Sequence, residues 1–297
     1  MDTTHDTRDM AGRVCLITGA TSGIGLVTAR ELAARGATVA LVGRDETRAR
    51  AAAEAIRQQT GNSEVDYLLA DFSSQAAIRG LAEAFRRRYG ALHVLVNNAG
   101  VICWSRQETV DKLEMTFAVN HLAPFLLTNL LLDTLRASAP ARIVTVASDA
   151  HTGATIPFDD LQHIHGRYSP LVVYGQSKLA NIMFTYALAR RLSGSGVTAN
   201  ALHPGVVATR IYRSQNRLFD LASTQVMRLF ALSPEKGARE AADRTAGAAK
   251  GNPGTRPARA ARRATRAAGP RVANRRRRAK GLRKEMGVVW RLPCREI

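Results

Sequence analysis

Residues 13–25 read RVCLITGATSGIG. Val14, Cys15, Leu16 and Ile17 form a short apolar run of the kind that makes a buried strand. Gly19, Gly23 and Gly25 follow, at places where a side chain would obstruct a turn, a ligand or helix–strand contact. A strand, a glycine-rich turn and a helix start in this order aim backbone N–H groups at an anion, such as a dinucleotide pyrophosphate. Taken alone, the stretch also fits a tight turn that binds nothing.

Outward from this stretch, apolar runs alternate with helical periodicity. Leu26 to Arg35 reads as a helix stopped by Gly36, a C-cap residue. Thr38 to Val42 is a second strand, ending in Gly43-Arg44-Asp45. Glu46 to Gln59 is an alanine-rich helix closed by Gly61, and Val65 to Ala70 a third strand with Asp71 at its end. Gln75 to Tyr89 is a helix closed by Gly90. Leu92 to Val96 is a fourth strand running into Asn97-Asn98-Ala99-Gly100. Val110 to Leu135 reads as one long helix, bent at Pro124. Arg142 to Ala147 is a fifth strand ending at Ser148. A polar stretch over 149–170 precedes a second long helix, Leu171 to Leu192. Val197 to Leu202 is a sixth strand leading to His203-Pro204-Gly205.

Short, nearly continuous apolar strands alternating with helices specify an α/β fold: a doubly wound parallel sheet covered on both faces. Ligands of such sheets bind beyond the carboxyl ends of the strands. Gly19, Gly43, Asp71, Asn98, Ser148 and Pro204 all fall just past strand ends, so one rim gathers the unusual residues.

With 297 residues and 45% hydrophobic content, the chain can fill one large core. Cys15, Cys103 and Cys294 are odd in number and far apart, so neither a disulfide framework nor a zinc knuckle is expected. The polar N-terminus MDTTHDTRDM is unlike a signal peptide, and runs such as Ala123 to Leu132 are too short to span a membrane. A reducing, cytoplasmic setting is the expectation. The net charge of +19 belongs mostly to one end. Residues 237–297 carry 18 Lys and Arg against 4 Asp and Glu, whereas residues 1–236 carry 25 against 20. The body is therefore an ordinary soluble protein, which argues against a nucleic-acid-binding role for the whole molecule.

Tyr174 and Lys178 lie four apart in YGQSK and share a helix face. A free phenol titrates at about 10, and a neighbouring ammonium favours its ionised form. Tyr174 is therefore a candidate general acid–base. Ser148 offers a hydroxyl to a substrate oxygen, and Asn120 can join a polar or water-mediated relay. Each is common by chance when taken singly.

In sequence order the chain shows a glycine-rich turn, Asn-Asn-Ala-Gly, a serine after strand five and Tyr-x-x-x-Lys. In this order it resembles the short-chain dehydrogenase/reductase family over about residues 10–242. The family's cofactor turn matches Thr18 to Gly25 without a gap. The resemblance implies a Rossmann fold, with Asn120, Ser148, Tyr174 and Lys178 as catalytic residues. It implies cofactor contacts from Gly19, Thr21, Ser22, Gly23, Ile24, Gly25, Arg44, Asp71, Phe72, Asn98, Ala99 and Gly100. Further contacts would come from Tyr174, Lys178, Pro204, Gly205, Val207 and Thr209. The form S-K-L-A-N at 177–181 and the F-D-D-L at 158–161 are similar to the retinol-dehydrogenase-like and WW-domain-oxidoreductase-like members.

The implied activity is hydride transfer between a nicotinamide and a small carbonyl or alcohol. Tyr174 would move the proton, Ser148 hold the oxygen, and Lys178 tune the tyrosine and touch the ribose. Strand two ends with Arg44 before Asp45, and an arginine there suits a 2′-phosphate, so NADP(H) is expected over NAD(H). Asp45 is free to cap the next helix. His151, His163 and His165 have no accompanying carboxylate pattern, so a solvated loop is expected and no metal.

Residues 1–10 are expected to be a polar tail, 11–242 the Rossmann-type domain, and 243–297 a basic Arg/Ala/Gly/Pro-rich tail with weak or no order. Residues 209–232 read as a helical excursion, either a lid over the rim or a helix packed on the core. The seventh strand usual in the family is not recognisable in the tail. A shifted reading frame in a G+C-rich gene would give such a composition, and so would a basic arm for an acidic surface. Without that strand, the sixth strand would form an exposed edge. A homodimer stays open. The rival to an enzyme is a catalytically silent dinucleotide-binding regulator with a nucleic-acid-binding tail.

Overall fold

The computed structural model describes residues 8–204. Six strands form one parallel sheet in the order β3-β2-β1-β4-β5-β6. They are β1 (Val14–Thr18), β2 (Thr38–Gly43), β3 (Val65–Leu69), β4 (Val94–Asn97), β5 (Ala141–Val146) and β6 (Val197–Leu202). The order reverses between β1 and β4, which is where such sheets open a crevice for a ligand. Val14 to Thr18 pair with Thr38 to Val42 on one side, and Cys15 to Ile17 pair with Val94 to Val96 on the other. Among the described residues the sheet ends at β6.

The pleat divides the apolar residues of β1 between two cores. Cys15 and Ile17 pack with Val39, Leu41 and Val96 against Leu32 of α1 (Gly23–Ala34) and Ile56 of α2 (Glu46–Thr60). Leu16 faces the other way, with Val42, Leu95 and Ile143. There it meets Phe85 of α3 (Gln75–Tyr89), Leu126 of α5 (Ala123–Leu130) and Leu188 of α7 (Pro170–Arg191). Met10 is buried in the first core, and its N–H donates to the Arg35 carbonyl at 3.0 Å. The chain therefore joins the packed body just before β1.

Helix ends follow their capping chemistry. Asp45 caps α2 by accepting from the Arg48 N–H at 2.9 Å, and Ser74 caps α3 by accepting from Ala77 at 3.2 Å. Gly61 and Gly90 close the same helices in the left-handed conformation, with φ of 68° and 60°. Helix α1 begins at Gly23, three residues before the start expected at Leu26, and Ile24 already packs against Val27.

The segment 110–135 is not one helix. Residues 110–114 form a turn, with Lys112 at φ 61° and a bridge between Glu108 and Glu114. Helix begins only at α4 (Met115–Phe117). Glu114 decides the start: its buried carboxylate accepts from the N–H groups of Thr116 (2.8 Å) and Phe117 (2.6 Å) and from the Tyr168 hydroxyl (2.9 Å). A π-helical turn follows over Ala118–Leu122, then α5, then α6 (Leu132–Ala137) after a break at Leu131. Pro124 stands at the first turn of α5, where its missing N–H disturbs the ladder.

No helix among the described residues is long and apolar enough to cross a membrane. The positions Gly205, Val207 and Thr209, the excursion 209–232 and the basic tail lie outside the described residues.

Candidate active site

The crevice floor is built by the end of β1. The Thr18 hydroxyl donates to the Val96 carbonyl at 3.2 Å and accepts from the N–H groups of Asn98 (2.9 Å) and Ala99 (3.0 Å). The Asn98 amide returns the grip, donating to the carbonyls of Thr18 (2.8 Å) and Gly19 (3.2 Å). The two loops that flank the topological switch are thus bolted together. Gly25 makes this possible: a Cβ there would sit 2.5 Å from Asn98 Nδ2 and 2.6 Å from the Gly19 carbonyl oxygen. Gly19 itself has φ 65°, and a Cβ there would sit 2.9 Å from the Ala99 Cα.

Helix α1 opens toward this crevice. Ser22 stands at its N-cap without a side-chain hydrogen bond to the helix, and its first turn carries no acidic residue. The N–H groups of that turn, including Gly23, Ile24 and Gly25, are therefore available to an anion, unlike those capped by Asp45 and Ser74. Thr21 rests its methyl group on Gly43 at the end of β2. Next to it, Arg44 is exposed. Asp71 is exposed past β3, accepting from the Ser73 N–H at 2.9 Å. Phe72 buries its ring in the core, so its main chain is what it can offer a ligand. A dinucleotide fits these residues: free helix donors for the pyrophosphate and a cation beside β2 for a phosphate.

The opposite wall is α7. Lys178 is 2% exposed, and its ammonium donates to the Val146 carbonyl at 3.0 Å while lying 5.5 Å from the centre of the Tyr174 ring. Burial pushes the lysine pKa down to about 8. One of its three donors is used by Val146, which leaves two for a polar ligand. Tyr174 is buried on the same face. Ser148 follows β5 and caps a single turn, Asp149–His151, by accepting from the Ala150 N–H at 3.3 Å. That turn lies directly on α7: a side chain at Gly175 would run into the Ala150 carbonyl. Gly175 thus lets the serine segment dock beside Tyr174. Beyond β6, His203 Nε2 pairs with Asp149 Oδ2 at 2.9 Å, which ties the start of the Pro204 segment to the serine turn.

Asn120 has its side chain fully engaged. Its Oδ1 accepts from the Val101 N–H (2.7 Å), and its Nδ2 donates to the Val101 carbonyl (2.9 Å) and to Ser177 Oγ (3.0 Å). Ser177 in turn donates to the Tyr174 carbonyl at 2.7 Å. The side chain holds the loop after Gly100 against the Tyr174 helix.

Gly19, Gly25, Asn98 and Ala99 are therefore in one cluster, and Tyr174, Lys178 and Asn120 in a second, with Ser148 docked beside it. Thr18, Gly175, Ser177 and Asn181 support them; Thr18 opens the matched turn and Ser177 and Asn181 bound the S-K-L-A-N form, but their structural partners are not readable there. A hydroxyl closing an otherwise apolar strand is a further signal, at Thr18. His163 and His165 stay in the insert, where the Asp160 carboxylate accepts from the Ile164 and His165 N–H groups. Among the described residues no His, Cys, Asp or Glu cluster could hold a metal.

Comparison with known proteins agrees with this geometry. A profile of the family described as short chain dehydrogenase matches residues 13–218. Retinol dehydrogenase 12 of Mus musculus is 50% identical over 203 residues, 68% of this chain and 64% of that protein. The chain therefore spans just under two thirds of that relative's length. Polyprenol dehydrogenase of Homo sapiens is 42% identical over 232 residues, 76% of this chain and 70% of that protein. Among solved structures, a short chain dehydrogenase from Burkholderia cenocepacia J2315 in complex with NADP superposes with a TM-score of 0.62 at 27% identity. The match covers 79% of this chain and 91% of that one. On its sheet order, its glycine turn and its profile match, the chain belongs to the short chain dehydrogenase family.

Proposed function

We propose that this chain is an oxidoreductase that interconverts a carbonyl compound and its alcohol with NADP(H), using Tyr174 as the general acid–base. The observation that carries the reading is the buried Lys178 ammonium 5.5 Å from the Tyr174 ring. An ammonium held there favours the ionised phenol, which brings proton transfer at the Tyr174 hydroxyl within reach of neutral pH. In the reducing direction Tyr174 gives a proton to the substrate oxygen, and in the oxidising direction it takes one. Ser148, docked beside it, holds that oxygen. The spare donors of Lys178 suit a ribose hydroxyl pair. When bound, the nicotinamide supplies or accepts the hydride. Asn120 keeps the rim loop and the tyrosine helix in register.

Arg44 supports the cofactor preference, because an exposed guanidinium at the end of β2 can fork onto a 2′-phosphate. The NADP held by the Burkholderia neighbour agrees with it. Arg44→Ala is expected to weaken NADPH binding about tenfold or more while leaving NADH within threefold, as read by cofactor fluorescence titration. Equal losses for both cofactors would remove the preference.

The relatives named for retinol and polyprenol suggest an elongated apolar alcohol or aldehyde as substrate. The test is a panel with NADPH and NADH that includes all-trans-retinal, a polyprenal, short aldehydes and ketones, and the matching alcohols. Turnover of at least one pair supports the proposal. Tight NADPH binding with no turnover across the panel would instead favour a silent binding protein.

A further inference from the structure

Asn120 is gripped by α7 at two points. Ser177 Oγ accepts from its side chain at 3.0 Å, and Asn181 Nδ2 donates to its main-chain carbonyl at 2.8 Å. The second contact has a cause in the chain itself. In α-helical pairing the Asn120 carbonyl would accept from residue 124, which is Pro124 and has no N–H, and the chain takes the π-helical turn Ala118–Leu122 here instead. A buried carbonyl left in this way needs a donor from elsewhere. Asn181 supplies it from a helix that is 61 residues further along the chain. Asn181 is 2% exposed and lies seven residues after Tyr174, on the face that also carries Lys178. Its other amide atom, Oδ1, faces His121 Nδ1 at 3.0 Å. With Nδ2 committed to a carbonyl, Oδ1 must accept, so His121 carries its hydrogen on Nδ1 and fixes which way the amide points.

We infer that Asn181 is a positioning residue for the reaction: it replaces the N–H that Pro124 lacks and so fixes Asn120 between the rim loop and the Tyr174 helix. This rests on the proposed oxidoreductase reading. The path is short. Asn181 holds the Asn120 carbonyl, and the Asn120 side chain holds Val101 N–H and carbonyl, just past Asn98-Ala99-Gly100. With one of the two grips removed, Asn120 can pivot about Ser177, and Val101 loses its partners. The spacing of Tyr174 and Lys178 to a ligand seated on that loop then becomes loose, although both side chains are intact.

The experiment uses Asn181→Ala, Asn181→Asp and the double variant Asn181→Ala/Pro124→Ala. Aspartate keeps the size and still accepts from His121, but it cannot donate to the carbonyl. Alanine at 124 restores a main-chain N–H where the helix needs one. Two readouts are taken: hydrogen exchange at the Val101 amide by NMR, and kcat against KM with NADPH and the best carbonyl of the panel. Both single variants are expected to speed Val101 exchange at least tenfold. They should lower kcat about tenfold or more, with KM for NADPH within twofold. The double variant should return both to within about threefold of wild type. Val101 exchange within twofold of wild type in both single variants would overturn the inference, as would failure of Pro124→Ala to restore it. If wild type turns over no carbonyl, the exchange data still decide the role of Asn181, and only the reaction proposal falls. If Asn181→Ala does not fold, Asn181→Asp carries the same comparison.

Discussion

His121 lies among Phe117, Phe125 and Phe184, with ring centroids 5.1 to 6.3 Å away. Burial pushes its pKa down to about 4, against the opposing pull of the Asn181 hydrogen bond. An unfolded histidine titrates at about 6.5. Between those values the unfolded chain binds the extra proton, so stability rises with pH from about 4 to 6.5 and is lost on acidification through that window. The expected loss attributable to this ring is about 2 kcal/mol, most of a typical single-residue effect. Urea denaturation at pH 6.5 and at pH 4.5 measures it. His121→Phe should be less stable than wild type at pH 6.5 yet show a flatter acid limb. An unchanged limb would mean that the ring is already hydrated. At this scale the sequence shows only part of the site. Tyr174 and Lys178 announce themselves by helical spacing, because both belong to one helix. The Val146 carbonyl under Lys178 and the Asn120 carbonyl under Asn181 do not, since every residue has a carbonyl and the partners are far apart in the chain.

At the level of elements, the glycine turn and the two loops around it behave as one part. Gly25→Ala would place a methyl group 2.5 Å from Asn98 Nδ2 and 2.6 Å from the Gly19 carbonyl oxygen. Asn98 is held by Thr18 and the Gly19 oxygen belongs to the main chain, so neither neighbour moves aside cheaply. The expected outcome is a stability loss of about 1–3 kcal/mol, with NADPH binding weakened tenfold or more. Thermal melting and fluorescence titration check it, and a neutral variant would show that the loops can part without cost. The strands and most helices were legible because burial on both faces writes itself as apolar runs, and capping residues such as Asp45, Gly61 and Gly90 mark the ends. The stretch from 110 to 135 misleads for a physical reason. Apolar residues recur through it without a gap, but Glu114 captures the N–H groups of Thr116 and Phe117, so the helix starts there. No local composition announces a carboxylate buried beneath Tyr168 from the insert.

Across the whole molecule, fold and family rest on the same sheet. Its reversal between β1 and β4 puts the glycine turn, Asn98 and the exposed Arg44 on one rim, with Ser148, Tyr174 and Lys178 across from them. The sequence revealed this rim because its polar and glycine residues interrupt apolar strands at their ends. It names no substrate, because no motif in the insert over 149–170 specifies one. Most of the net positive charge falls in residues 237–297, which lie outside the described residues. The central claim is that Tyr174 moves the proton for a reaction that the rim arranges. It is tested most directly by comparing wild type with Tyr174→Phe in NADPH-dependent reduction of the best carbonyl in the panel, with the NADPH dissociation constant measured on the same samples. The expected result is a loss in kcat of about 10²–10⁴-fold with the dissociation constant within twofold. A Tyr174→Phe protein that keeps more than a tenth of wild-type turnover would contradict it.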